Sequence, residues 1–539
     1  MATRVLTNGK IFTASANEPW AQAVVLEGNK IAYVGTSEGA MQFAGENAQV
    51  EDLGGKLVTP GLIDGHLHLF LTISLDGLLA LNGMDAEQML EAIANDVAKH
   101  PEREAYTGQG WLEEVFGEEG PNKADLDAIC PDKPMAYSSA SMHAIWCNSK
   151  ALEVAGITRD TPDIDHAGGV VYVRDKDGEP TGYCKEIASM TKVMEGANYF
   201  DEDEMKKALG RFEQHCAEHG ITSIVDCGGL SFLSYFINDD LRARMDTDES
   251  PVRLNFCGYA GVAGLYEAAF ADTVNFAEKY NDDRFFCTFH KLFGDGTLET
   301  GSAAIPNAYP NGEVVAPAMT AEVLAAEFER CAKAGVDVNI HAIGSDAIRN
   351  VLKAAGIVRE KGFGDLRIVC SHSSYPYPQD IELFGKHDVF SNTTGLWLSS
   401  TDEETEALVK SLTQSKPYPM KSILNGGARV GLGSDFPTDP TSFPPMQNAE
   451  CLVTRQAIGQ PDAYVHDAEE ALAVEEVLLG YTINNAYQMR KEDVLGSIEV
   501  GKYADLTVFN QDLFEIDPYE IHGVTVCETI KDGITTYKA

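Results

Sequence analysis

The sequence is poor in basic residues and has no long apolar run. Its 41 Lys and Arg stand against 83 Asp and Glu, which gives a formal net charge of −42. Such a charge repels phosphate backbones and anionic lipid headgroups, so we expect neither a nucleic-acid partner nor a membrane surface. No stretch approaches the ~18 apolar residues of a membrane-spanning helix, and the start lacks the apolar core of a signal peptide.

The sequence also lacks any C-x-x-C pair. Its 11 cysteines are an odd number and are scattered from Cys130 to Cys527. This pattern favours reduced thiols over a disulfide framework and predicts a cytoplasmic protein. With 44% apolar and 23% charged residues, the composition is typical of a globular, enzyme-sized chain.

Both ends of the chain contain short β-rich segments separated by glycine, asparagine and proline. The pattern covers residues 1–57 and 491–539 and predicts that the two ends pair into one small β-sandwich domain. Between them, eight apolar runs alternate with helical patterns, which predicts the α/β class and a (β/α)8 barrel of the TIM type. The runs are LVTPGLID, ITSIVDC, VRLNFCGY, FFCTFHKLF, VDVNIHAI, RIVCSH, DVFSNTT and ARVGLGSD.

The interval between the first and second runs is too long for one crossover connection. We therefore place the first barrel strand and its loop at 58–80 and an inserted cap or subdomain at 81–205. The rest of the barrel is predicted at 206–490.

Histidine, lysine and aspartate residues occupy the carboxyl ends of several of these runs. His66 and His68 follow the first run, and alternate residues of a strand point to the same face, so both can reach one metal ion. The same position in later runs is held by Lys291, His341, His372 and Asp435. Because the carboxyl ends of barrel strands meet at one face, these six residues predict a common metal site.

The chain resembles the metal-dependent amidohydrolase superfamily, and within it the branch of N-substituted formamide deformylase. The stretches that carry the resemblance include PGLIDGHLHL, GQGWLEEVF, MHAIWCNSKAL, KLFGDGTLETGSA, NIHAIGSDAI and GLGSDFP, and they extend over nearly the whole chain. The resemblance implies a barrel with two divalent metal ions, usually zinc. It also implies a bridging lysine that carries a CO2-derived carbamate, and a small β domain made from both termini.

The resemblance further implies a role for each residue of the predicted site. His66 and His68 would hold one metal, Lys291 would bridge, His341 and His372 would hold the second metal, and Asp435 would contact the first. A protonated lysine is a cation and cannot bind a metal, whereas its carbamate is an anion with two oxygens. The alternatives are an ordinary salt bridge for Lys291 and a helix-capping role for Asp435.

Two metals would lower the pKa of a shared water toward about 7 and give hydroxide near neutral pH. Asp435 could then take a proton from the attacking hydroxide and pass it to the leaving nitrogen. In the inserted region, His143 is a candidate to bind a developing oxyanion and thus to contact substrate, and Trp111 is a candidate wall of the substrate pocket. Core packing is the alternative for both. Glu186 and Asp295 also fall in matching stretches, with roles left open.

We therefore expect an amidohydrolase that acts on carbon–nitrogen bonds other than peptide bonds. The expected substrate is a small N-substituted formamide or N-acyl compound. On the same centre, deamination of a heterocycle or hydrolysis of a cyclic amide or ester is the alternative, and a non-catalytic binding protein is the alternative from another class. The metal could also be Mn²⁺, Fe²⁺ or Co²⁺. A homodimer is expected only by analogy.

One motif suggests a different enzyme. His215, Glu218 and His219 spell H-x-x-E-H, the pattern of an inverted zincin metalloprotease, on a segment with helical periodicity. However, that helix ends at Gly220 and leads straight into the second barrel run. Its end therefore lies at the bottom of the barrel, away from the loops that form active sites.

Overall fold

The N-terminal part of the chain forms short strands and one helix. In this computed structural model the described residues are 3–117, 119–142, 144–163, 171–197, 199, 202–228, 237–258, 266–298, 301–306, 314–399, 401, 403–438 and 444–539. The first elements are β1 (Arg4–Thr7), β2 (Lys10–Phe12), β3 (Trp20–Ala21), β4 (Ala23–Glu27), β5 (Lys30–Gly35), α1 (Ser37–Ala44), β6 (Gln49–Asp52) and β7 (Leu57–Pro60). The Thr36 side chain accepts a hydrogen bond from the N–H of Gly39 and so starts α1.

The first barrel strand, β8 (Leu62–Leu67), runs into α2 (Leu69–Leu75), which is buried along its whole length. An inserted α/β region follows. Its elements are β9 (Leu79–Ala80), α3 (Ala86–Lys99), β10 (Tyr106–Trp111), α4 (Lys123–Asp127), β11 (Met135–Ser139), β12 (Ala144–Cys147), α5 (Ser149–Val154), β13 (Val171–Arg174), β14 (Pro180–Lys185) and α6 (Glu186–Gly196). The strands form one mixed sheet in the order β13-β14-β12-β11-β10-β9.

Strands and helices then alternate through the rest of the barrel. They are α7 (Glu202–Glu218), β15 (Ile221–Asp226), α8 (Asp239–Met245), β16 (Arg253–Phe256), α9 (Tyr266–Lys279), β17 (Phe285–Cys287), β18 (Phe289–Phe293), α10 (Ala321–Ala334), β19 (Asp337–Ala342), α11 (Ser345–Glu360), β20 (Ile368–His372), α12 (Ile381–Lys386), β21 (Val389–Thr393), α13 (Glu403–Thr413), α14 (Met420–Asn425) and β22 (Val430–Leu432). Helices α15 (Pro445–Thr454), α16 (Val474–Leu479) and α17 (Asn485–Gln488) follow.

The barrel strands form two parallel arcs, β17-β16-β15-β8 and β18-β19-β20-β21-β22. Strands β17 and β18 divide one predicted run at Thr288, so the eight predicted runs correspond to the strands of these arcs. The first and last strands lie side by side, because the Asn485 amide donates to the carbonyls of both Ile63 and Leu432. A Cβ on Gly433 would lie 2.5 Å from the backbone nitrogen of His66, so this close approach requires glycine. The predicted (β/α)8 fold class is confirmed.

The C-terminal strands complete the small β domain. They are β23 (Leu506–Phe509), β24 (Val526–Lys531) and β25 (Ile534–Lys538). Both ends of the chain contribute to the sheet β25-β24-β23-β7-β2-β3, and the sheet β5-β4-β1-β6 packs on it through a shared apolar core. Strand β7 continues this domain to Pro60, so the barrel begins with β8.

The structure also describes the cysteine side chains and the lengths of the helices. All 11 cysteines are free thiols, and most of them are buried. Within the described ranges, no helix combines the length and apolar character needed to cross a membrane.

Candidate metal centre

The strand ends bring five of the six predicted metal ligands into the barrel interior. His66 lies on β8, Lys291 on β18, His341 on β19 and His372 on β20, while Asp435 follows β22. All five are buried, with exposed fractions of 1% to 8%. His68 follows β8 at the start of α2 and is the most accessible of the six.

Asp435 lies at the centre of this group. Its backbone N–H donates to the carbonyl of His66 at 2.7 Å, and it adopts a left-handed conformation with φ 55° that aspartate tolerates. Its Oδ1 lies 3.3 Å from Nε2 of His66 and 3.2 Å from Nε2 of His68. Its Oδ2 lies 4.0 Å from Nδ1 of His372 and accepts a hydrogen bond from Thr438. Three imidazoles therefore face one carboxylate.

Backbone carbonyls fix the orientation of two of the histidine rings. Nδ1 of His68 lies 2.7 Å from the carbonyl of Gly228, which makes Nδ1 the donor and turns the Nε2 lone pair toward Asp435. Nε2 of His341 lies 3.2 Å from the carbonyl of Gly296 in the same way. Such outer hydrogen bonds are the usual means of orienting histidine ligands.

The residues present fit a divalent metal ion. Ligand atoms of His66, His372 and Asp435 all lie within 4.8 Å of one another. Burial, followed by neighbouring positive charge, holds the pKa of His66 and of His372 well below the ordinary value, so both rings are neutral and have lone pairs to donate. Nδ1 of His66 is buried without a hydrogen-bond partner in the described part of the chain. Imidazole nitrogen with carboxylate oxygen is a donor set that Zn²⁺ and similar ions accept.

Lys291 is the one cationic side chain among the predicted ligands. Its Nζ lies 3.1 Å from Oδ1 of Asn339 and 3.4 Å from Nε2 of His66. Among the residues that the structure describes, its ammonium group forms no ion pair with a carboxylate. A buried charge without a counter-ion is costly in free energy. The side chains that contact Lys291 leave its charge unbalanced.

Two buried aspartates that the sequence analysis missed support the first ligands. Asp64 accepts hydrogen bonds from the backbone of His66 and of Ser434, both at 3.1 Å, and thereby ties β8 to the segment that carries Asp435. Asp226 accepts the N–H of Leu69 at 2.7 Å, at the start of the helix that follows His68. Burial raises the pKa of each to about 7. The D-x-H spacing in LIDGHLH is a sequence signal that could have identified Asp64.

Asp295, whose role was left open, is a support for the loop after β18. Its carboxylate accepts the backbone N–H groups of Ala304, Ile343 and Gly344, and burial raises its pKa to about 7. Oδ1 lies 3.8 Å from Nε2 of His341. Asp295 therefore joins the ends of β18 and β19, which carry Lys291 and His341.

Two aromatic rings extend the row of histidines toward solvent. Trp397 stacks on His372 with ring centroids 4.9 Å apart and planes at 13°, and Phe293 stacks on His341 at 5.4 Å and 26°. The two histidine rings are themselves 4.5 Å apart. Both aromatic residues are partly exposed. Neither was predicted, because Trp397 lies in a short 3-10 helix (Gly395–Ser399) outside the predicted elements and Phe293 has the pattern of an ordinary strand residue.

The predicted contacts in the inserted region are placed as follows. Trp111 is fully buried in the core of the insertion, where its Nε1 donates to the carbonyl of Tyr137 at 2.7 Å and its ring contacts Phe116 and Tyr183. That position favours packing over a pocket wall. His143 lies outside the described residues. Glu186 is the first residue of α6, and its side chain lies outside the description as well.

The H-x-x-E-H segment does not assemble a second metal centre. His215 and His219 stack at 4.1 Å on the last turns of α7, and Nδ1 of His219 faces the carbonyl of His215. Over the described ranges, the only group of three or more histidine, cysteine or acidic residues with converging ligand atoms is that of His66, His372 and Asp435. This agrees with the rejection of the protease alternative.

Comparison with known proteins agrees with this geometry. A model described as the amidohydrolase family matches residues 49–537, which is most of the chain. The chain belongs to the amidohydrolase family. This amidohydrolase is a hydrolytic enzyme that acts on carbon–nitrogen bonds other than peptide bonds, as predicted.

Relatives of similar length support the assignment. The amidohydrolase is 26% identical to the N-substituted formamide deformylase of Arthrobacter pascens, over 100% of this chain and 99% of that protein. It is 28% identical to the putative amidohydrolase YtcJ of Bacillus subtilis (strain 168), over 98% of each. A solved structure of an uncharacterised metal-dependent hydrolase from Pyrococcus horikoshii OT3 has the same fold, with a TM-score of 0.73, 21% identity and coverage of 96% and 99%.

Proposed function

We propose that this amidohydrolase cleaves the amide bond of a small N-substituted formamide or a related N-acyl compound at a centre of two divalent ions, most simply zinc. The observation that carries the proposal is the meeting of three buried or half-buried imidazoles on the Asp435 carboxylate. The substrate class is supported by the likeness to the Arthrobacter deformylase, which extends over the full length of both chains.

The donor set divides between two ions. His66, His68 and Asp435 would hold one, and His341 and His372 would hold the other, with Lys291 joining them as a carbamate. Bound there, a divalent ion supplies Lewis acidity, which activates water and polarises a carbonyl group. The carbamate is supported by the position of Lys291, whose buried Nζ contacts an amide oxygen and an imidazole.

Asp435 is the residue that we propose to move the proton. Its Oδ1 faces two imidazoles, and Thr438 holds its Oδ2, so the carboxylate is fixed in direction before substrate arrives. A carboxylate held in this way can take a proton from the attacking water and deliver it to the leaving nitrogen, which departs as a neutral amine. His143 is proposed to donate a hydrogen bond to the substrate carbonyl oxygen.

The first experiment is elemental analysis of protein purified without chelator, together with hydrolysis of a panel of N-formyl and N-acyl amines. Close to two divalent ions per chain and release of formate or another acid would support the proposal. A single ion with activity only on amino-heterocycles would support a deaminase instead. No metal, and no activity after addition of zinc and bicarbonate, would contradict the proposal and favour a binding protein.

A further inference from the structure

The surroundings of Lys291 show how its terminal nitrogen is held. Lys291 on β18 and Asn339 on β19 are direct partners in the parallel ladder. Their side chains meet inside the barrel, where Nζ donates to Oδ1 of Asn339 at 3.1 Å. Both side chains are 1% exposed, so water does not compete for this bond.

The orientation of the Asn339 amide is itself fixed. Its Oδ1 accepts a second hydrogen bond, from Oγ of Ser371 at 2.8 Å, and its Nδ2 lies 3.6 Å from Sγ of Cys227. The Lys291 ammonium can only donate, so the amide atom that faces it is the oxygen, because an amide NH2 group cannot accept the bond. The acceptor facing Lys291 is therefore held in place by a neighbour on β20 and by Cys227, the residue that follows β15.

This arrangement matters for the chemistry of a lysine carbamate. The neutral amine adds to CO2: a C–N bond forms, one C=O π bond of CO2 breaks and leaves its electron pair on oxygen, and one N–H proton passes to solvent bicarbonate. The product R–NH–COO⁻ keeps a single N–H. Its nitrogen is planar, so an acceptor for that N–H fixes rotation about the Cε–Nζ bond and with it the direction of both carboxylate oxygens. Hydrogen-bond partners that orient ligands in this way commonly set metal affinity.

We propose that Asn339 is a positioning residue that holds Nζ of Lys291 in the orientation in which its carbamate is formed and retained. The inference rests on the proposed function, because it requires the carbamate. None of the residues predicted from the sequence has this role. Asn339 was not among them, although it lies two residues before His341 and so faces the same side of β19.

The test compares wild-type protein with Asn339→Ala, Asn339→Asp and the control Asn255→Ala. Asn255 is also a fully buried strand asparagine, and its side chain forms hydrogen bonds with Thr288. Each protein is equilibrated with ¹³C-bicarbonate, the carbamate carbon is observed by ¹³C NMR, and zinc content is measured against bicarbonate concentration. Neither readout depends on turnover.

For Asn339→Ala, we expect at least about a tenfold rise in the bicarbonate concentration needed for half-maximal zinc loading, since one buried hydrogen bond to the carbamate is lost. Asn339→Asp keeps the shape of the side chain and an acceptor oxygen, but its charge stabilises the ammonium form of Lys291. We therefore expect it to fold and to lose the carbamate signal. Asn255→Ala should retain both the signal and the wild-type loading curve.

Two results would overturn the inference, and they differ. If the wild-type protein shows a carbamate signal and both Asn339 variants keep it with an unchanged loading curve, Asn339 does not position the lysine while the proposed centre stands. If the wild-type protein itself shows no carbamate and loads zinc without bicarbonate, the bridged centre of the proposed function falls, and the role of Asn339 falls with it.

Discussion

Two buried cations lie in different parts of the barrel and are held in opposite ways. Arg253 begins β16, and its guanidinium forms ion pairs with Asp505 and Asp532 of the small β domain. Lys531 beside it also pairs with Asp532, at 3.3 Å. Lys291, equally buried, contacts an amide oxygen and an imidazole instead.

The difference separates a structural site from the site that we propose to be reactive. Where a cation joins two parts of the molecule, the chain supplies carboxylates to compensate its charge, because an unpaired buried charge is strongly destabilising. At Lys291 the chain supplies neutral acceptors, an amide oxygen and an imidazole, and no carboxylate within ion-pair distance among the residues that the structure describes.

The largest expected effect comes from removing the unpaired cation. Lys291→Ala should lose bound metal and lower kcat/KM by about 1,000-fold or more, because the bridging group that holds the Lewis acids is gone. Elemental analysis and initial rates on the same preparation measure both. His219→Ala, on α7, is the control and should change neither, whereas an active and fully metallated Lys291→Ala would remove the bridging role.

Removing the paired cation should act on stability instead. Arg253→Met removes the ion pair of buried Asp505, whereas Asp532 keeps Lys531 and Arg284 as partners. We expect the free energy of unfolding to fall by about 3–5 kcal/mol. Urea titration followed by circular dichroism measures it. The matched control is Arg211→Met, which breaks an exposed pair with Asp76 and should cost less than about 1 kcal/mol. Equal losses for the two variants would show that the buried cluster has no special role.

The pH dependence of the metal-free protein tests the neutral state of the histidines. Burial, together with the charges of His341 and Lys291, holds the pKa of His372 well below its ordinary value. The folded protein therefore excludes a proton that the unfolded chain binds below about pH 6.5, so this group lowers stability as the pH falls.

In His372→Asn that proton-linked loss is absent. We expect the free energy of unfolding of the variant, relative to wild type, to improve by about 2 kcal/mol between about pH 7 and pH 5. Urea titrations of the chelator-treated proteins at several pH values measure this difference. Parallel curves for the two proteins would show that the ring is protonated in the folded state and would weaken the case for a preformed site.

The smallest effect concerns the ring that stacks on His372. Trp397→Ala removes a stacking contact worth about 1 kcal/mol, so we expect kcat/KM to fall by about fivefold while metal content stays at the wild-type level. Trp397→Phe keeps an aromatic face and should recover most of the loss. If the phenylalanine variant is as impaired as the alanine variant, the stack does not act on the histidine.

Much of the fold was predictable because each barrel strand has a recognisable pattern in its local sequence. The run VDVNIHAI predicts β19 (Asp337–Ala342), and RIVCSH predicts β20 (Ile368–His372), since both are rich in β-branched residues and have a histidine at or near the carboxyl end. The ligands at the strand ends follow from the same pattern. What local sequence does not contain is the register between strands, which alone places Asn339 opposite Lys291.

In the inserted region, by contrast, the sequence did not predict where a side chain lies. Trp111 belongs to a stretch shared with the family, and that likeness suggested a pocket wall, but the side chain is fully buried and its indole satisfies a backbone carbonyl. A large aromatic residue serves a core and a binding pocket equally well, so residue type alone does not separate them. Trp397, in a 3-10 helix, and Phe293, on a strand, stack on the predicted ligands His372 and His341 in a geometry that no spacing rule describes.

The amide of Asn485 that joins the first and last barrel strands has a consequence for synthesis of the chain. Its partner Ile63 is 422 residues earlier in the sequence. At about 5–20 residues per second, the ribosome needs roughly 20–80 s to deliver Asn485 after Ile63 has appeared. Over most of that interval the side of β8 that contacts β22 (Val430–Leu432) has no partner strand, because β22 has not yet been synthesised. The barrel can therefore close only late in the synthesis of the chain.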